Sequence, residues 1–351
     1  MIRGIKIVNH SGEELCIDMA RPEESGFVIE SIDGLGPVKA NVNVTEMATN
    51  DGGKINSSRL PVRNINFHFI FYELFNAPMV TIYNISTNAL NDILNNGEVI
   101  QSDLRTRINL SVEDLRHISY RFFQVKKEIK IYIYTDKRSF YTSGTVESND
   151  PDIFSSESGC SVSVICPYPY FISIEDEVET SFGSVIPEIW FDRPNDIHRT
   201  MFSASGPSVS GSAGRGIPFS SISQITENVI YYEGDIETGI RIEIGLSGRI
   251  GDLEISNVTK NETFKLIASK IETILGSEID SGDRIVINSL RGMKKILYYR
   301  NGVEYNILNA MGKKSDWLMI SNGNNLFRYS AETGIEYANF SVYYPILYEG
   351  I

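Results

Sequence analysis

Only one short run of this sequence has residue types suited to acid–base chemistry. It consists of Glu175, Asp176, Glu177 and Glu179, and paired carboxylates can donate and accept protons in catalysis. These residues stand almost consecutively in a connecting segment, with no sign of a pocket around them. A solvated acidic face is therefore the better interpretation. Nothing else in the sequence marks the two carboxylates that a glycoside hydrolase uses.

The other candidate motifs are incomplete. The glycine-rich residues 211–216 lack the Gly-Lys-Ser/Thr ending of a phosphate-binding loop. Residues 50–53 offer oxygen ligands for calcium, but no further acidic residue follows them at suitable spacing. Three scattered cysteines are too few for a disulfide framework or a zinc site. Because a nucleophile elbow and a His-Glu-x-x-His motif are also missing, we expect no enzyme activity, no cofactor and no metal.

Charge and composition narrow the class of protein. The chain has 351 residues, a net charge of −13 and 42% hydrophobic residues, so two domains with separate cores are expected. The acidic balance argues against nucleic-acid binding through phosphate neutralisation, which needs clustered Lys and Arg. An acidic surface would instead repel a polyanion. We expect no secretion signal, and no apolar run approaches membrane-spanning length.

A proline-rich crossing near the middle of the chain separates two regions of different character. Two prolines one residue apart each fix φ and push the preceding residue towards extended geometry. The crossing is therefore predicted to be a stiff connection between a first domain at 1–172 and a second at 173–351. The predicted inter-domain hinge consists of Cys166, Pro167, Tyr168, Pro169, Tyr170 and Phe171.

The first domain is predicted to contain strands and one or two helices. Alternating apolar residues indicate strands at 2–9, 62–72 and 129–134. Ser111 caps a predicted helix whose apolar stripe is Val112, Leu115, Ile118 and Phe122. His117 lies off that stripe and is interpreted as a surface residue. A second short helix, capped by Ser86 or Thr87, is predicted inside a possible insertion at 75–107.

The second domain is predicted to be all-β. Short strands between regular turn signals are typical of a β-sandwich, and a flexible loop is expected at about 186–217. Asn301-Gly302 and Asn322-Gly323 predict two hairpins, because Asn-Gly is the strongest short hairpin signal. Residues 262–276 fit both a helical and a strand period. We expect a strand from 263 to 269 and leave the structure up to 282 open.

Four groups of residues occur in an order and spacing that together are fairly specific. The first is Ser25-Gly26-Phe27, Gly34, Asp51-Gly52 and Arg63; the second is residues 125–129 with 141–147. The third is residues 165–171, and the fourth comprises Gly282-Asp283, Asn301-Gly302, Ser315-Asp316-Trp317, residues 232–235, 322–325 and the ending 348–351. In these groups the chain resembles the distal tail protein (Dit) family of phages and phage-like tails, whose domain junction reads Cys-Pro-x-Pro-Tyr-Phe.

The resemblance implies a mainly β fold. Its first part is an α+β ring domain of two packed sheets with one or two helices, and its second a galectin-like β-sandwich. It also implies a homo-hexameric ring that joins the tail tube protein to a tail-associated lysin or spike-hub protein. Receptor-binding or baseplate arm proteins attach peripherally, and DNA passes through the ring without specific binding. The implied location is the distal end of a virion or tailocin tail, assembled in the host bacterial cytoplasm, with no membrane partner.

Two questions stay open at this level. The segments 75–107 and 186–217 look longer than the family pattern needs, so a contractile and a non-contractile tail are both compatible with the sequence. The alternative function is a carbohydrate-binding module for adhesion to the host cell wall. Trp190 and Trp317 could stack on sugars, although core positions for both are favoured, and His198 does not belong to a recognisable sugar-binding set.

Overall fold

The computed structural model describes residues 1–46, 51–78, 107–153, 158–174, 178–183, 185–186, 190–191, 217–218, 223–224 and 227–351. The chain divides into two compact units. Unit 1 comprises Met1–Asp176 together with Leu347–Ile351, and unit 2 comprises Glu177–Ile346. The last five residues therefore belong to unit 1, whereas the sequence analysis assigned them to the second domain.

The described chain is mainly β, which confirms the predicted fold class. The strands of the first half are β1 (Ile2–Val8), β2 (Glu14–Asp18), β3 (Phe27–Asp33), β4 (Asn41–Glu46), β5 (Gly53–Arg59), β6 (Arg63–Phe71), β7 (Leu74–Pro78), β8 (Arg107–Leu110), β9 (Glu128–Thr135), β10 (Ser139–Asp152), β11 (Gly159–Cys166) and β12 (Phe171–Ser173). Those of the second half are β13 (Val178–Gly183), β14 (Val185–Ile186), β15 (Trp190–Phe191), β16 (Ile217–Pro218), β17 (Ser223–Gln224), β18 (Glu227–Tyr232), β19 (Thr238–Gly239), β20 (Arg241–Leu246), β21 (Leu253–Asn257), β22 (Glu262–Leu266), β23 (Arg284–Asn288), β24 (Lys295–Arg300), β25 (Val303–Asn306), β26 (Met319–Ile320), β27 (Gly323–Ala331), β28 (Ala338–Tyr344) and β29 (Leu347–Tyr348). The described helices are α1 (Val112–Phe122), α2 (Ala268–Leu275) and three short 3₁₀ turns, Pro22–Ser25, Leu308–Ala310 and Ile335–Tyr337.

Unit 1 is built on one antiparallel sheet of nine strands. Its main order is β2-β1-β9-β10-β11-β6-β3, and β12 extends it by pairing with both β10 and β29. All nine strands are connected by hydrogen bonds, and β10, which is 14 residues long, changes partner along its length. Its start pairs with β12 and its later part with β11. Two further antiparallel pairs, β4–β5 and β7–β8, form separate two-stranded sheets.

Helix α1 has the predicted bounds and the predicted buried stripe. The Ser111 hydroxyl accepts from the Asp114 amide, and the Asp114 carboxylate accepts from the Ser111 amide, which is a capping box. Leu115, Ile118 and Phe122 are buried, whereas His117 is exposed as expected. Because the cap and the stripe are both local, the sequence alone determines this helix. The predicted helix near 86–97, and most of the possible insertion at 75–107, lie outside the described residues.

Unit 2 contains two main antiparallel sheets, which agrees with the predicted sandwich. One has the order β13-β28-β20-β23-β24-β25, and the other β18-β27-β21-β22. Side chains of the two sheets meet in the core: the rings of Tyr329 and Phe340 have centroids 4.4 Å apart, and those of Tyr232 and Tyr344 5.8 Å apart. Alternating inward residues on β20 and β28 complete this core.

Residues 262–276 form a strand and then a helix, so the predicted strand to 269 is too long. Strand β22 ends at Leu266, and α2 begins at Ala268. The Ala268 amide donates to Oδ1 of Asp252, at 2.9 Å. The side chain that caps α2 thus comes from a distant turn and leaves no local sequence signal. Gly276 ends the helix with φ at 70°.

One of the two predicted hairpins is present and the other is not. Strands β24 and β25 pair around Asn301-Gly302, both with positive φ. Around Asn322-Gly323, however, the flanking strands separate: β26 pairs with β19, and β27 pairs with β18 and β21. The buried Asn325 side chain explains this turn, because its amide bonds both backbone groups of Ser321.

A buried ionic cluster ties the sheet of β23 and β24 to the loop after α2. Asp283 accepts from the Tyr298 hydroxyl at 2.6 Å and from the Arg300 guanidinium, and Arg300 also donates to the Glu278 carbonyl. Burial raises the pKa of Asp283, but the hydrogen bonds from Arg300, Tyr298 and the Asp280 amide outweigh it, so the net pKa is lowered. The carboxylate is therefore charged in the folded state.

We predict that unit 2 loses stability as the pH falls below about 4. A lowered folded-state pKa contributes stability above the unfolded value of about 3.9, and that contribution disappears as the pH falls through the folded pKa. Asp283→Asn should flatten this pH dependence and cost about 3 kcal/mol at neutral pH, because it removes the carboxylate partner of the largely buried Arg300. Urea unfolding followed by tryptophan fluorescence reports the stability of unit 2, since both tryptophans lie at 177–346.

Asp316→Asn, at an exposed site, is the control. The prediction would be contradicted if the free energy of unfolding depended equally on pH in Asp283→Asn and in the wild type.

Candidate functional site

The predicted hinge residues form a corner of unit 1. Cys166 is the last residue of β11, and Phe171 is the first of β12. Both are buried, whereas Pro167 is exposed and the three residues after it are half-buried. The rings of Tyr168 and Tyr170 contact edge to face, with centroids 5.3 Å apart. The structure therefore keeps the six residues together, as a turn between two strands of one sheet.

A buried arginine holds this corner. Arg63 is paired with Cys166 in the sheet and is only 1% exposed. Its Nε donates to the Pro169 carbonyl at 2.8 Å. One terminal nitrogen donates to the carbonyls of Gly34 and Gly36, and the other donates to that of Glu349. Three segments that are remote in sequence thus converge on one guanidinium.

The surroundings of Arg63 offset the cost of burying its charge. An isolated buried cation is very unfavourable unless its donors are satisfied, and carbonyl oxygens satisfy the guanidinium from several sides. The Phe171 ring lies under it at 4.3 Å from Cζ to the centroid, a cation–π contact. Burial lowers the pKa of Arg63, but an arginine stays protonated in a protein.

No residue other than glycine fits at position 34 of this turn. Gly34 has φ of +87°, and a Cβ there would lie 2.0 Å from the Asn64 carbonyl oxygen. Only glycine adopts this conformation without strain and allows such a close approach. The turn can therefore lie directly against the first residues of β6, which places its carbonyls within reach of Arg63.

The C-terminal strand closes the corner from the other side. Strand β29 pairs with β12 through Phe171 with Tyr348 and Ile172 with Leu347. The Phe140 ring contacts both Phe171 and Tyr348, with centroids 6.3 Å and 5.2 Å away. The Ile351 amide donates to the Leu35 carbonyl at 3.1 Å. Unit 1 is thus completed by residues that follow unit 2 in the sequence.

This arrangement positions chain segments and offers no reactive group. Burial raises the pKa of the Cys166 thiol despite a hydrogen bond with Thr142 and the nearby charge of Arg63. Burial likewise raises the pKa of Cys160 to about 12. Both thiols are therefore protonated and poor nucleophiles at neutral pH. Within the described residues, no group of His, Cys, Asp or Glu side chains is arranged to hold a metal ion.

The remaining sequence candidates do not converge on this corner. Trp317 is half-buried and contacts Phe264, with ring centroids 6.0 Å apart, and the Lys294 ammonium, so its ring is packed within unit 2. The side chains of Trp190, His198 and the acidic run after Ile174 lie outside the described residues, as does most of the loop at 186–217. No described helix is long and apolar enough to cross a membrane.

From the sequence, Arg63 was noted only as part of the resemblance, and its role as a buried cation that holds the corner was not predicted. The sequence does contain a signal for this role. Along β6 the buried residues alternate as Ile65, Phe67, Phe69 and Phe71, and Arg63 falls on the same face. An arginine in register with a core-facing stripe must find partners inside. The residues Gly34, Arg63, Pro169 and Glu349, which the resemblance groups separately along the sequence, are brought together here.

No family model matches the chain, and no curated protein matches it by sequence. Solved structures do match its fold. The Dit protein of phage SPP1, described as a paradigm of the hub adsorption apparatus in phages infecting Gram-positive bacteria, aligns over 98% of both chains. The TM-score is 0.54 and the identity 11%. Chains of the phage p2 baseplate in its activated conformation, with Sr or Ca, align over 97% and 98% of this chain, at TM-scores of 0.41 and 0.38 and identities of 11% and 12%. The match with the SPP1 protein confirms the expected Dit-like fold.

We predict that Arg63→Lys destabilises unit 1. Lysine has a single nitrogen and cannot reach carbonyls on several sides, so carbonyls of the corner lose their donor. Hydrogen bonds to charged groups contribute about 1.5–3 kcal/mol each and are not additive, so we expect a loss of about 3 kcal/mol or more. Hydrogen exchange followed by mass spectrometry should show faster exchange in β6, β12 and β29. Arg3→Lys, at an exposed arginine paired with Asp136, is the matched control. Unchanged exchange in all three strands would show that Arg63 does not hold the corner.

Proposed function

We propose that this chain is a distal tail protein, a structural component of a phage or tailocin tail tip. The observation that carries the proposal is the fold, which aligns with the SPP1 Dit protein over 98% of both chains. The character of the corner around Arg63 supports it, because that corner positions segments and has no reactive group. In this proposal the chain is not an enzyme.

The proposal includes an assembly and its partners. Six copies form a ring at the distal end of the tail, between the tail tube protein and a tail-associated lysin or spike-hub protein. Receptor-binding or baseplate arm proteins attach around it, and DNA passes through its centre. The galectin-like domain carries peripheral contacts. The chain is assembled in the cytoplasm of the host bacterium.

The β4–β5 pair supports contact between copies. All thirteen residues of these two strands are exposed, and an isolated two-stranded hairpin is marginally stable in water. Val44 and Ile55 are direct cross-strand partners and are 47% and 65% exposed. Val42 lies on the same face of β4 as Val44. Packing of this face against a neighbouring copy would bury its apolar side chains and stabilise the hairpin.

We predict a closed ring of six copies that depends on this face. Mass photometry and negative-stain images should show hexamers, and particles copurified from the tail give the fairest sample. Val44→Asp should increase dissociation at least about tenfold, because it would bury an unpaired charge in the contact.

Thr45→Asp is the matched control, because Thr45 is adjacent and points to the other face of the same strand. It should leave the ring intact. Monomers of the wild-type chain at every salt concentration, with no copies in tail particles, would count against the ring. Equal effects of both variants would show that this face of the hairpin is not part of the contact between copies.

The role of the crossing as an inter-domain hinge stays a proposal. If Cys166–Phe171 fixes the orientation of the second domain, replacing Pro167 and Pro169 by glycine should broaden that orientation, since glycine frees the backbone. Small-angle scattering of the full chain measures this breadth. Pro22→Gly, in an unrelated 3₁₀ turn, is the control. Unchanged scattering and unchanged assembly would show that the crossing is only a connection.

A further inference from the structure

Two sets of basic side chains in the described part of unit 2 differ in their partners. Those in the first set form ion pairs with carboxylates: Arg241, Arg249, Lys260, Lys265, Arg284, Arg300 and Arg328. The second set lies in two exposed segments, residues 291–295 and 313–314, which we call the lysine loops. Among the described residues, no carboxylate forms an ion pair with Arg291, Lys294, Lys295, Lys313 or Lys314.

The lysine loops are a local exception in an acidic protein. Between Ser289 and Ser315 the sequence has six basic residues and one acidic residue, Glu304. Of the six, Arg300 is engaged by Asp283, and the other five are those of the lysine loops. Every residue from 291 to 295, as well as Lys313 and Lys314, is exposed. Positive charge is therefore concentrated on one part of a chain whose net charge is −13.

Trp317 brings the two loops together. The Lys294 ammonium lies 5.5 Å from the centroid of the Trp317 ring, a cation–π contact. The same ring also contacts Phe264 of β22. The segment before Trp317 is fixed along the edge of β22, because the Gly312 amide donates to the Lys265 carbonyl and the Asp316 amide to that of Thr263. Lys313 and Lys314 are thus held along β22, and Trp317, whose ring Lys294 contacts, follows Lys314 by three residues.

An open cleft of about 420 Å³ lies beside Lys313 and Lys314. It is lined by Lys265, Thr263 and Ser315 as well as by the acids Asp252 and Glu254. Asp252 is already engaged by Lys265 and by the first amide of α2. Glu254 is the other acid in the lining, and Lys265, Lys313 and Lys314 line the same cleft, so its lining has three lysines and two acids.

We propose that the lysine loops form a binding surface for a linear polymer that carries repeated phosphate groups. Lysine binds phosphate as a compact point charge, and hydroxyl groups in the cleft can donate to phosphate oxygens. Several lysines spaced along two loops suit a chain of phosphates better than a single ion. The surface involves residues of unit 2 alone, and the proposal does not depend on the function proposed above.

The test uses the full chain and linear inorganic polyphosphate as the probe, with binding measured by titration calorimetry. The wild type should bind, and the affinity should fall steeply between about 50 mM and about 200 mM salt, because the contacts are ionic. The triple variant Lys294→Gln, Lys313→Gln, Lys314→Gln should weaken binding at least about tenfold. The matched control is Lys126→Gln, Lys127→Gln, Lys130→Gln, three exposed lysines of unit 1, and it should bind within about twofold of wild type.

Three outcomes would overturn the proposal: no binding by the wild type, equal loss of affinity in both triple variants, or no loss of affinity in the first.

Poly-glutamate tests the class of partner. If it binds as tightly as polyphosphate and with the same dependence on the three lysines, the surface recognises acidic protein and the phosphate assignment is wrong. Should the triple variant fold poorly by circular dichroism, Lys314→Gln alone, at an exposed position, should still weaken binding about threefold.

Discussion

Unit 1 depends on the satisfaction of one buried positive charge. Arg63 stands on the core-facing side of β6, where its neighbours in register are Ile65 and three phenylalanines. Its charge is tolerated there only because carbonyls of Gly34, Gly36, Pro169 and Glu349 surround it. None of the three contributing segments can be removed without leaving donors unpaired. The turn, the crossing and the C-terminal tail are therefore energetically coupled.

This coupling gives the proline-rich crossing a more definite structural role. Residues 166–171 are held at both ends by a nine-stranded sheet, and β12 pairs directly with the returning strand β29. The chain therefore leaves unit 1 and re-enters it through two paired strands. The thiols of this corner are protonated and its cation is fully engaged, so the corner holds segments of unit 1 in place.

The sequence predicts well those features that are determined locally. Helix α1 follows from Ser111 and its stripe, and the β24–β25 hairpin follows from Asn301-Gly302. Features that depend on distant partners could not be predicted. The guanidinium of Arg63 bonds a carbonyl 286 positions further along the chain, and α2 begins where Asp252 caps it. Asn322-Gly323 gave a hairpin signal, but the Asn325 side chain closes that turn and the flanking strands pair elsewhere.

In the function proposed above, this chain forms a ring at the distal end of a tail. Cryo-electron microscopy of intact particles from a producing bacterium tests it most directly, with the chain located by fitting its two units into the density. We expect six copies around the tail axis, at the junction between the tube and the tip. Density that places the chain elsewhere in the particle, or particles that lack it altogether, would rule out this ring.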